Sequence, residues 1–197
     1  EYLYLVTGKL VADASIIGIE PGAMTALGYQ VAEGRALTEE DSKAIVVGGS
    51  VEFYNPKLTG NASILVTTQV RSVLNEKLSL TWDWNYGTRN ADKSIKPIKV
   101  DAVGTLPADG NNSWSIIMPI KELENLQKEK KKWEESQSEG NTSSNSRKSK
   151  EYEHVMVKVD EIDNVQKVQQ QIKDMGFRAS SLTDQLEAMK ETTRMLR

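Results

Sequence analysis

Residues 152–197 constrain this chain most, because the hydrophobic period changes there from two to about 3.6. Tyr152–Asp160 alternates, with Val155, Val157 and Val159 on one face and His154, Met156 and Lys158 on the other, which predicts a half-buried strand. Val165, Val168, Ile172 and Met175 follow at spacings of three, four and three, so a helix is expected after Asp163 as cap. Gly176 stands where that helix needs a left-handed residue to stop. Phe177–Ser180 reads as a short second strand. Ser181 and Asp184 form a capping box for a last helix carrying Leu182, Leu186, Met189 and Leu196, still helical in character at Arg197. An unfinished helix at one end, and strand-like Tyr2–Val6 directly at the other, both read as cuts within a longer protein.

The preceding residues read as more strands than helices. Tyr2–Thr7 and Ser15–Glu20 are strand candidates, with a turn at Gly8–Lys9 or around Asp13. Pro21–Leu27 reads as a short helix opened by proline. Ala44–Gly48 is a continuous apolar run, suited to a strand covered on both faces. Ser50–Tyr54 reads as one helical turn before Pro56. Ala62–Thr68, Lys77–Trp84, Ile95–Leu106 and Ser113–Met118 are further strands, separated by Gly/Asn turns. Pro119 opens a helix with Leu123, Leu126 and Trp133 on one side, expected to dissolve from Lys128 onward. Residues 136–150, with no aliphatic side chain, are expected to form a mobile polar loop.

The expected fold class is therefore α+β. A discontinuous α/β subdomain spans residues 1–54 and 151–181, a β-rich subdomain of residues 55–127 is inserted into it, a polar loop covers 128–150, and residues 182–197 form a connector helix. A net charge of −3 argues against a nucleic-acid partner. With no cysteine, disulfides and thiolate sites are excluded. No apolar run of about 18 residues occurs, so no segment reads as a membrane span.

Chemistry is sparse. His154 is the sole histidine, so a triad or a zinc site lacks its usual partners, and it reads as a strand residue. Glu39-Glu40-Asp41 and Asp160-Glu161-Asp163 lack calcium-loop spacing and read as helix-start carboxylates. Gly48-Gly49-Ser50 is a turn rather than a phosphate loop, and no nucleophile elbow occurs. Catalytic, cofactor and metal residues are accordingly expected to be none. Trp82, Trp84 and Tyr86 fall on one face of the Lys77–Trp84 strand and its extension, with Trp114 as a further aromatic. They read as a hairpin core packed across strands, and they are also the candidate contact surface for a partner or a sugar. Asn61, Asn111 and Asn141 begin N-x-S/T sequons.

The order of several segments resembles the extracytoplasmic domain of MacB-type (FtsX-like) ABC transporter permeases. These segments are Ile16-Ile17-Gly18-Ile19-Glu20-Pro21, then Gly34-Arg35-Ala36-Leu37-Thr38-Glu39-Glu40-Asp41, then Ile45-Val46-Val47-Gly48. Val100-Asp101-Ala102-Val103-Gly104, Ile116-Ile117-Met118-Pro119 and Val155–Gly176 follow. The resemblance covers about two thirds of the chain, and Gly34, Arg35, Asp41, Gly104, Pro119 and Gly176 are its structural positions. It implies a split porter-like βαβ subdomain with a β-rich insert, set outside the cytoplasm between two transmembrane helices of the same chain. The permease would be a homodimer, with ATP hydrolysed in a separate nucleotide-binding domain or subunit. The domain would pass conformational change to an adaptor protein or an exported substrate, as in efflux, antibiotic-peptide resistance or lipoprotein release. The alternative is a free-standing extracellular ligand- or carbohydrate-binding domain using the aromatic face; a hydrolase is the third class of reading.

Overall fold

In a computed structural model the chain is mixed α/β, built on a six-stranded β-barrel with few helices. The structure describes residues 1–58, 69–70, 72–137 and 155–184. Two compact units divide the chain, residues 1–147 and residues 148–197.

The first unit begins with a hairpin. Strands β1 (Tyr2–Thr7) and β2 (Leu10–Ile19) pair from Thr7↔Leu10 to Tyr2↔Ser15 around the two-residue loop Gly8–Lys9. After a single 3₁₀ turn at Pro21–Ala23, the chain reaches the two-residue β3 (Glu33–Gly34) and then β4 (Ala44–Val47). Strands β5 (Glu52–Phe53) and β6 (Gln69–Val70) form a small ribbon. Strands β7 (Leu78–Thr81), β8 (Ile98–Thr105) and β9 (Ser115–Pro119) complete the barrel, and helix α1 (Ile120–Gln137) follows at once.

The order round the barrel is β8-β4-β9-β2-β1-β7, and pairing of β7 with β8 closes it. β2–β9 and β4–β8 are parallel, while the other barrel pairs are antiparallel. Residues 78–119 therefore do not form an inserted subdomain apart from residues 1–54. β9 lies between β4 and β2, and the β7–β8 pair joins β1 to β4, so strands of both segments share one closed sheet in which each finds partners on both edges.

Alternation along the strands sorts the apolar residues into two cores. Leu3, Leu5, Ile16, Ile45, Val47, Leu80, Val100, Ile116 and Met118 belong to the larger one, with Phe53 and Trp82. The intervening positions Val46 and Ile117 belong to a second core with Ile19, Met24, Tyr29, Leu37 and Leu106. β4 is thus buried on both faces, as its unbroken apolar run predicts. α1 lays Leu123, Leu126 and Trp133 against the larger core, the face read from their spacing. It continues to Gln137 instead of dissolving at Lys128, since lysine and glutamate are good helix formers and Lys131 pairs with Glu135 one turn on. Residues 138–150 of the expected loop lie outside the described residues.

Three local expectations are corrected in this unit. Ser50–Tyr54 is not a helical turn: Glu52 and Phe53 pair with β6, and Tyr54 exchanges backbone hydrogen bonds with Val11. The strand after Leu78 ends at Thr81, so residues 82–86 do not present one strand face. The helix expected over Pro21–Leu27 shrinks to the 3₁₀ turn and irregular turns ending at Gly28. The strand expected at Ala62–Thr68 lies outside the described residues.

In the second unit, residues 155–159 make no strand pairing, nor do Phe177–Ser180. Their alternation has no neighbouring strand to bond among the described residues. α2 (Val165–Asp174) follows a 3₁₀ turn at Ile162–Asn164. Asn164, not Asp163, is its N-cap residue and makes no side-chain cap bond; Asp160 instead accepts from the Glu161 N–H and the Asn164 amide. Gly176 ends α2 at φ +87°, with the Phe177 N–H reaching back to the Ile172 carbonyl. The Ser181–Asp184 capping box is present, and Gln169 donates to Asp184 and to the Ala179 carbonyl. Leu182 is exposed, while Leu186, Met189 and the remainder of the expected connector helix lie outside the described residues.

Leu5 is fully buried between Ala12 and Leu80. Leu5→Ala should cost about 2–5 kcal/mol in urea unfolding. Tyr2→Ala, at a side chain 66% exposed on the same strand, should stay within about 0.5 kcal/mol. Equal losses for the two would contradict the inward-outward assignment of β1.

Candidate interaction face and the Gly34–Asp41 clip

Trp82 and Trp84 part company where β7 stops. The Asp83 carboxylate, buried at 4% exposure, accepts the backbone N–H groups of Asn85 (2.9 Å) and Asp92 (3.0 Å). These bonds turn the chain out of the sheet. Trp82 stays in the barrel core, where its indole N–H has no acceptor among the described residues. Trp84 is half exposed and meets Tyr4 edge to face, with centroids 4.8 Å apart and planes at 75°. Tyr86 is half-buried in the turn that follows. Of the three expected contact residues, only Trp84 presents a large exposed ring; Trp114 is exposed separately, in the loop before β9.

The partners of Trp84 come from elsewhere in the chain. Tyr4 and Asp13 are directly opposed across the β1–β2 hairpin. The Tyr54 hydroxyl lies 3.3 Å from that of Tyr4 and 3.2 Å from Asp13 Oδ2. A phenol has one proton to give. With the carboxylate as the stronger acceptor, Tyr54 donates to Asp13 and Tyr4 donates to Tyr54. Burial, the bond to Tyr4 and the charge of Asp13 raise the Tyr54 phenol far above its ordinary pKa, so it stays protonated. Sequence reading misses Tyr4, Asp13 and Tyr54. The signal was available in the two-residue loop Gly8–Lys9, which sets Tyr4 against Asp13 by register.

The Gly34–Asp41 segment forms a closed clip. Arg35 binds Asp41 through two parallel bonds of 2.6 and 2.8 Å, and Asp41 also accepts the backbone N–H and hydroxyl of Thr38 at 2.8 and 3.0 Å. The Arg35 bonds, foremost, hold the Asp41 carboxyl well below the usual carboxylate range. Gly34, at φ +80°, could not bear a Cβ without striking the Val103 carbonyl, and a Cβ on Gly104 would strike the Arg35 carbonyl. The two glycines let β3 lie on β8, bonded through Arg35 N–H to Val103 O at 2.9 Å. Pro119 ends β9 beside Ile19, and α1 starts at the next residue.

The remaining sequence candidates are dispersed. Glu39 accepts the Gly22 N–H, while Asp41 and Asp160 make the bonds given above. Among the described residues no three His, Asp, Glu or Cys side chains converge as a metal site, and no helix is long and apolar enough to cross a membrane. His154, Asn61 and Asn141 lie outside the described residues, and Asn111 is exposed in the turn before Trp114. A groove of about 340 Å³ runs beside α1, with Val100, Met118 and Leu126 at its base and Lys43, Lys128 and Lys132 among its lining. No family model, curated protein or solved structure matches this chain.

Because the Asp41 pKa is depressed in the folded protein, its contribution to stability is complete above the unfolded value of about 4 and is lost as pH falls below that. Asp41→Asn should lower the urea midpoint at pH 7, and the gap from wild type should narrow steadily between pH 4 and pH 2. A gap independent of pH would show that the Asp41 charge does not contribute.

Proposed function

We propose that this chain is the extracytoplasmic domain of a MacB-type ABC transporter permease, a non-enzymatic module that transmits conformational change between the membrane and an adaptor protein or exported substrate. The observation that carries the reading is the Gly34–Asp41 clip. This stretch is one of the ordered segments that carry the resemblance; its side chains fasten the segment before β4 to itself, while Gly34 and Gly104 seat β3 on β8. A domain that relays movement must shift as a body, and a loop tied at both ends moves with its sheet.

In this proposal residues 182–197 lead toward a transmembrane helix of the same chain. The whole permease is a homodimer that receives ATP-driven motion from a separate nucleotide-binding domain or subunit. The second reading, a free-standing extracellular domain for a ligand or carbohydrate, draws on the exposed Trp84 ring.

The transporter reading predicts about 20 apolar residues on each side of this segment in the full gene. It also predicts which side of the membrane carries the barrel. This segment has no cysteine of its own. Trp114→Cys in an otherwise cysteine-free full-length protein should therefore react with a membrane-impermeant maleimide on intact cells, or on cells with only the outer envelope opened. Labelling only after lysis of the cytoplasmic membrane, or polar sequence on both flanks, would defeat the proposal.

A further inference from the structure

We propose that Trp84, Tyr4 and Asp13 form a recognition corner for a basic segment of a protein partner, taking an arginine or lysine side chain against the rings and pairing it with the carboxylate. The inference does not rest on the transporter reading; the corner is the same on a permease domain and on a free-standing one.

The rings are held in place before any partner arrives. Asp83 anchors the turn that carries Trp84, and the edge-to-face contact sets the indole against Tyr4. Tyr4 is fixed in turn by its strand and by the hydroxyl chain through Tyr54 to Asp13. A corner ordered in advance spends little conformational entropy on binding.

The charge of the site selects the partner. Aromatic faces are electron-rich, and a guanidinium or ammonium group over them is attracted by the ring quadrupole. Asp13 adds a formal negative charge at an exposed position. Among the described residues only Tyr54 hydrogen-bonds Asp13, and no lysine or arginine pairs with it. A carboxylate has acceptor sites left over after one such bond. Arginine suits the corner best, because its planar head can stack on a ring while its N–H groups reach a carboxylate. Tryptophan, tyrosine and arginine are also the residues that dominate the centres of protein interfaces.

Hexa-arginine, titrated into the folded protein at low salt while indole N–H resonances are followed by NMR, tests the proposal. The Trp84 resonance should shift saturably and the Trp114 resonance should not. Trp84→Ala should weaken binding at least tenfold, and Asp13→Asn should weaken it several-fold and flatten its salt dependence. Trp114→Ala and Asp109→Asn, at other exposed positions, should leave it within twofold; equal weakening by Asp109→Asn would mean unspecific attraction and overturn the proposal. Asp13→Asn guards against loss of fold in Trp84→Ala, because it leaves both rings in place. A neutral probe, chitohexaose, separates the other occupant: a saturable Trp84 shift with the sugar and none with the peptide would make the corner a carbohydrate platform. No shift with either would also overturn the proposal.

Discussion

Pairing of β7 with both β1 and β8 is the interaction on which the rest of the first unit depends. Without it the sheet would keep two open edges and an unshielded inner face. With it, the backbone groups of the six strands bond to each other and the inner side chains collapse on a common axis. β7 is only four residues long, and Leu78 and Leu80 are nearly inaccessible to water. The seam is therefore sealed by burial as much as by hydrogen bonds. The second core, on the outside, exists because the segment between β2 and β4 covers Val46 and Ile117 and is fastened by the Arg35–Asp41 pair.

Short, strongly apolar or periodic segments were legible in the sequence, and segments shaped by distant neighbours were not. β4 was readable because covering both faces demands an unbroken apolar run. Gly176 and the Ser181–Asp184 box were readable because capping is local chemistry. The first half of β2 was obscured by Ala12 and Ala14, poor strand formers that are needed there because they face the larger Leu5 and Leu3 across the hairpin. Glu52–Tyr54 became extended only through partners at Val70, Gln69 and Val11. The mixed order of strands, which joins the expected insert to the rest of the barrel, follows from long-range pairing that no local pattern encodes.

The candidate face illustrates the same division. An alternation of aromatic residues from Trp82 to Tyr86 suggested one surface, yet a single buried carboxylate between the tryptophans sent one inward and the other outward. Tyr4 and Asp13 looked unremarkable in their own strands and acquired meaning as a cross-strand pair. The clip was more legible: Gly34, Arg35, Thr38 and Asp41 lie within eight residues, and the side chains that bond are close in sequence. Its dependence on Gly104 was not, since the two glycines meet only when β3 lies on β8.

The parallel β2–β9 pair sets Ser15 beside Ser115, so one of the longest strand contacts joins positions a hundred residues apart. The chain must close that large loop before the contact returns any energy, and non-local pairing of this kind slows folding. The β1–β2 hairpin needs only a two-residue loop and can form early. Until β7 and β9 arrive, both outer edges of that hairpin stay unpaired and able to bond another chain. The order in which the barrel closes is thus also the interval in which newly made copies of the protein are exposed to one another.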